Sequence, residues 1–147
     1  MTKLLGWLGT LPFIIATVYS LLNESLVGFY APYVFVSYSS IILSFLAGTL
    51  WGRVVFTPDS RDYTLILLLS NVLAIIAWAC ILLSQLLLPA AVIMLAISFT
   101  LLLRIDLNGA NDLVDGEAVL LDYQKLRRSL TLFVVSLHTI TLFTTVF

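Results

Sequence analysis

His138 is the only histidine of the chain, nine residues after Ser129 and nine before Phe147. At helical rise it lies about 14 Å from either end of that uncharged run. A titratable ring at such depth suits a proton relay or a ligand site, and its plain alternative is a hydrogen bond between helices. Ser136, Thr139, Thr141, Thr144 and Thr145 make the same run the richest in hydroxyls. Haem or metal binding would need further ligands, and no Asp or Glu shares the apolar runs with His138. Asn71, beside Ser70 in another run, is a second polar candidate: either helix glue or, with His138, the lining of a path. Cys80 has no basic neighbour to favour a thiolate, and a lone cysteine allows neither an internal disulfide nor a Cys-rich zinc site. There is no Ser/His/Asp pattern, HExxH or phosphate-cradling glycine loop. The chain is therefore read as non-enzymatic, with no catalytic residue, metal or cofactor assigned.

Two further patterns concern packing and lipid. Ser40, Ser44, Gly48 and Gly52 follow one another at four-residue spacing, the small-residue ridge that lets helices approach closely in lipid. It serves either packing within the chain or an interface with a partner or second copy. Between Arg104 and Arg128, Asp106, Asn108, Asp112 and Glu117 fall at positions one, three, seven and twelve of a calcium-loop count. However, Ala110 takes position five and Gly109 is misplaced, so no calcium site is assigned. Glu117 to Arg128 instead suits an interfacial helix with Val119, Leu120, Tyr123 and Leu126 on one side. Lys125, Arg127 and Arg128 would then meet anionic head groups.

The elements that must position these residues follow from composition. Of 147 residues, 61% are apolar and 10% charged, against about 45–50% and 25% in soluble domains, and mean hydropathy is +1.12. Such a chain needs lipid as its solvent. A net charge of -1 excludes a basic nucleic-acid face. Uncharged runs at about 4–22, 33–52, 64–84, 86–103 and 129–147 each approach the roughly 20 residues that cross a bilayer. The expected fold is thus all-α, a single domain of five transmembrane helices. The first run is too long for a signal-peptide core and lacks a small-x-small cleavage site. Between the third and fourth runs, Pro89 fits the first turn after a tight hairpin.

With five spans, all seven basic residues fall on one side: Lys3, Arg53, Arg61, Arg104, Lys125, Arg127 and Arg128. By the positive-inside rule that side is cytoplasmic, giving an N-in, C-out chain with one substantial cytoplasmic loop, 104–128. Trp7 and Trp51 then fall near the inner interface, and Phe29, Tyr30 and Tyr33 near the outer one. Arg53 and Arg104 either snorkel to phosphates or pair with Asp59, Asp62 and Asp106.

Four stretches carry a family resemblance: Leu5-Gly6-x-x-Gly9-x-x-Pro12-Phe13; Tyr38 leading to Ser44-Phe45-Leu46-x-Gly48-x-x-Trp51-Gly52; Arg104-x-Asp106; and Tyr123-x-x-x-Arg127-x-x-Leu130-Thr131. In these the whole chain resembles an uncharacterised domain-of-unknown-function family of small multi-spanning membrane proteins, common in proteobacteria and with a mitochondrial transmembrane relative. In the family pattern the residue before the tryptophan is often basic, and here it is Leu50, which weakens any mechanism built on a charge there. The resemblance implies a bacterial inner-membrane location and supplies no catalytic residues. The expected role is an accessory or assembly subunit that partners the anionic bilayer and a larger complex or a second copy. The alternative is a carrier or channel for protons or a small solute using His138.

Overall fold

The first apolar run does not fold as one rod. The computed structural model describes residues 2–55, 63–110 and 117–146, and within it that run forms α1 (Thr2–Leu8) and α2 (Leu11–Leu21), broken at Gly9 and Thr10. Pro12 occupies the first turn of α2, where a missing N–H costs nothing to α2 itself but stops the ladder of α1 from running through. At the break the Thr10 hydroxyl donates to the Trp7 carbonyl at 2.7 Å, and the Gly9 carbonyl accepts the Tyr38 phenol at 2.9 Å. The two pieces still share one apolar window, Lys3–Leu21.

After α2, Asn23 adopts a left-handed φ of 55°, a common way to stop a helix. A short hairpin follows, β1 (Ser25–Leu26) antiparallel to β2 (Phe29–Tyr30), with Leu26 opposite Phe29. Its turn holds Val27 and Gly28 at φ 53° and 80°, the two positive values that match the twist of the strands. For β-branched Val27 that conformation is strained.

The order is completed by α3 (Ala31–Val55), α4 (Tyr63–Ser84), α5 (Leu88–Ala110) and α6 (Glu117–Val146). Only residues 85–87 join α4 to α5, and Pro89 falls in the first turn of α5. The stretch 104–128 is not the loop the sequence suggests: 104–110 continue α5 and 117–128 open α6. The helix from Glu117 to Arg128 forms, but as one piece with the last span. At 30 residues, α6 measures about 45 Å against a hydrocarbon thickness of about 30 Å, so its first turns project beyond the apolar layer.

Helices α2 to α6 form a closed ring in chain order, α2 meeting α6, while α3 also crosses to α5. Phe13, Phe35, Leu43, Leu73, Leu95, Phe99 and Leu102 fill the centre. From α4, Ser70, Leu73, Ala77, Cys80 and Ser84 turn inward, alternately three and four residues apart as a packed seam requires. Mostly small, they let α3 and α4 form the most extensive helix pair. The outer surface stays apolar, with Phe45, Leu68, Trp78, Leu132 and Phe143 exposed. Among the described residues five helical segments are long and apolar enough to cross a membrane, and the protein is an all-α membrane protein.

The ridge Ser40, Ser44, Gly48 and Gly52 does not share one environment. Ser40 is buried, Ser44 and Gly52 are half-buried and Gly48 is exposed; a Cβ added at Gly48 or Gly52 would meet nothing within 4 Å. Four residues advance slightly more than a full turn, so each step rotates about 40° and the row turns from the core at Ser40 to the outer surface at Gly48. Within the chain, the close packing is done by the small residues of α4.

Candidate functional site

Helices α1–α2 and α6 run parallel, and polar contacts mark their common register from end to end. Lys3 pairs with Asp122, Thr17 shares a hydrogen bond with Thr141 at 3.2 Å, and Ser20 one with Thr144 at 2.5 Å. Between them Trp7 meets Phe133 edge-on, with ring centroids 5.5 Å apart.

Midway along this seam lies His138, only 1% exposed. Its Nδ1 is 2.8 Å from the Val134 carbonyl and its Nε2 2.8 Å from the Ser39 hydroxyl. The carbonyl only accepts, so Nδ1 carries a proton, and the Ser39 hydroxyl completes the ring's bonding from α3. Phe35, Phe99 and Phe13 surround the ring with centroids at 4.7, 5.5 and 6.0 Å. Every polar atom of the imidazole is thus satisfied inside an aromatic cage, which is what a buried polar group in lipid requires. Asn71 is elsewhere: exposed on α4, it donates to the Leu67 carbonyl of its own helix at 2.8 Å. The structure does not bring His138 and Asn71 together. Cys80 is buried in the α4 seam. Ser40 Oγ is buried without a hydrogen-bond partner among the described residues.

A second cluster gathers where α3 and α5 end and α6 begins. Asp106, 3% exposed, takes Arg53 Nη1 at 3.0 Å and Arg127 Nε at 2.6 Å. The Tyr123 phenol reaches its two oxygens at 3.0 and 2.9 Å. Tyr123 and Arg127 are four residues apart, hence on one face of α6. Three donors from two other helices, Arg53 of α3 and Tyr123 and Arg127 of α6, saturate one carboxylate of α5, tying three helices at a single atom group. Arg53 therefore pairs with Asp106, while Arg104 is exposed; Asp59, Asp62 and Asp112 lie outside the described residues. Of the basic triplet, Lys125 and Arg128 are exposed, but Arg127 turns inward. Asp106 is consumed by this pairing, and among the described residues no group of three or more His, Cys, Asp or Glu could hold a metal.

Sequence reasoning posed Asp106 as one option among several and assigned it no role. The legible signal was that Arg53, Asp106 and the pair Tyr123 and Arg127 all sit where an apolar run meets a polar stretch, and so at one depth.

Beside the cluster a cavity of about 190 Å³ opens between the α1–α2 break, α3, α5 and α6, with Gly6, Gly9, Phe13, Leu46, Arg127 and Thr131 in its wall. Gly6 is tight against α6: a Cβ there would stand 2.9 Å from Leu130 Cδ1. The four stretches that carry the family resemblance converge on this place. Gly6, Gly9, Phe13, Phe45, Leu46, Leu130 and Thr131 line the cavity, Asp106 and Tyr123 form the cluster, and Arg127 belongs to both.

No curated protein and no solved structure matches the chain. A family model described as a protein of unknown function (DUF3429) matches residues 1–143, and the chain belongs to that family.

Proposed function

We propose that the chain is a non-enzymatic membrane protein of the bacterial inner membrane, an accessory or assembly subunit that packs through the glycine face of α3 onto a larger complex or a second copy. One observation carries this reading: Gly48 and Gly52 leave open space where a side chain would stand, so their small size does nothing for the fold of the single chain. Phe45 and Trp51 flank them and are exposed. A second helix crossing at these glycines would gain backbone-to-backbone approach, the main source of association between helices in lipid. The gathering of basic residues at one end supports an N-in, C-out orientation, with Lys125 and Arg128 against anionic head groups. The test is native mass analysis of the protein extracted in mild detergent, with Gly48→Leu and Gly52→Leu. The expected result is loss of a partner or second copy, with the separated monomer unfolding at the same temperature as the parent monomer. Association that survives both substitutions overturns the reading.

A carrier or channel for protons or a small solute is the second reading, favoured by the file of hydroxyls that runs from Ser39 and His138 through Thr17 and Thr141 to Ser20 and Thr144. Proton flux in proteoliposomes that is unchanged by His138→Ala overturns it.

A further inference from the structure

The cavity beside Arg127 has a size and a wall that specify an occupant. Its volume of about 190 Å³ exceeds the roughly 150 Å³ that encloses a benzene ring and falls short of the roughly 300–1,000 Å³ of sites for drug-sized ligands. A short run of methylenes fits inside; a head group does not. Leu5 and Phe45, both in the wall, are 59% and 66% exposed, so the mouth opens on the apolar outer surface. An occupant enters from the bilayer.

Among the described residues the one charged group in the wall is Arg127. Its guanidinium spends Nε on Asp106, and no described residue accepts a bond from Nη1 or Nη2. That terminal edge is the part of the fork that grips a phosphate through two parallel N–H bonds. Asp106 holds the guanidinium in place beforehand, which lowers the cost of ordering it on binding. An apolar slot with a fixed guanidinium in its wall matches an anionic amphiphile at both ends.

We propose that this cavity binds one anionic phospholipid, with an acyl chain lying between α1, α3 and α6 and the phosphate on the Nη edge of Arg127. The site shares only Phe45 with the Gly48–Gly52 face, and its remaining wall comes from α1, α2, α5 and α6 and the rest of α3. Gly9 supplies bare backbone at the break between α1 and α2, and Leu46 closes the slot on the α3 side.

The test uses the full chain in detergent micelles, titrated with phosphatidylglycerol, with phosphatidylcholine of the same chains, or with inorganic phosphate, and read by native mass spectrometry and thermal unfolding. A single contact between Arg and an anionic head group predicts that one phosphatidylglycerol is retained at about fivefold lower concentration than phosphatidylcholine. Leu46→Trp, which fills the slot and leaves Asp106 and Arg127 intact, is expected to abolish that retention while the lipid-free protein unfolds within a few degrees of the parent. Arg127→Gln is expected to make the two lipids bind alike; because it also strips Asp106 of a partner, Leu46→Trp decides by itself if that variant does not fold. Equal retention of the two lipids by the parent chain overturns the proposal, and so does retention that survives Leu46→Trp. Inorganic phosphate at millimolar concentration raising the unfolding temperature as much as phosphatidylglycerol overturns it too, in favour of a soluble-anion site.

Discussion

The Asp106 cluster and the His138 seam both join helices through buried polar groups, yet they differ in what happens when a partner is lost. Hydroxyls in a helix have a retreat: Ser70, Ser84, Ser98, Thr100, Ser136 and Thr139 all bond to carbonyls of their own helix. Thr144 does both at once, meeting Ser20 across the interface and donating to the Thr141 carbonyl. The Asp106 carboxylate has no such retreat, because its own helix offers it no counter-charge. Cross-helix bonds with a fallback average only about 0.6 kcal/mol in membrane proteins. Removing one partner of a buried ion pair costs several times more. The two regions thus hold the bundle by different means: many weak ties in the middle and one strong knot at the end.

Asp106→Ala should show the largest effect, about 3–5 kcal/mol, since it removes the buried carboxylate that pairs with both Arg53 and Arg127. For a chain of this size that lowers the unfolding temperature by roughly 10 °C in a detergent melt; a shift of only a degree or two would erase the distinction. Next comes Gly6→Leu, about 1–3 kcal/mol from overpacking against Leu130, measured in the same melt beside Gly48→Leu, which should leave the monomer unchanged. His138→Leu should cost only about 1 kcal/mol, because Ser39 falls back on its own helix and the phenylalanine cage accepts an apolar side chain. A cost as large as that of Asp106→Ala would make the seam the equal of the cluster. Lys3→Ala should be smallest, under about 0.5 kcal/mol, because the Lys3–Asp122 pair is more than half exposed, and the difference should vanish in molar salt.

The sequence made the helices visible because lipid imposes length and composition directly: an uncharged run of about 20 residues has no other stable form there. What it concealed depends on direction around a helix and on partners far away along the chain. The four-residue ridge on α3 looked like one stripe, but its slow rotation sends Ser40 inward and Gly48 outward. Gly9 and Pro12 stand inside the first run, and the apolar residues on either side masked the break between α1 and α2. Val119, Leu120, Tyr123 and Leu126 had the period of a helix, and only the packing of Tyr123 and Arg127 against Asp106 fixes that helix as the start of α6. The pairing of Arg53 with Asp106 spans 53 positions, and no local pattern encodes it.

The three-residue connection between α4 and α5 bears on how the protein is made. Residues 85–87 include Leu86 and Leu87, which are exposed, and these helices have the highest hydropathy of the five spans, 2.6 and 2.2. With so short and apolar a link, α4 cannot hand a polar segment across the membrane and wait for α5. The two spans therefore behave as one antiparallel hairpin, a single apolar unit against which the more polar α6 packs.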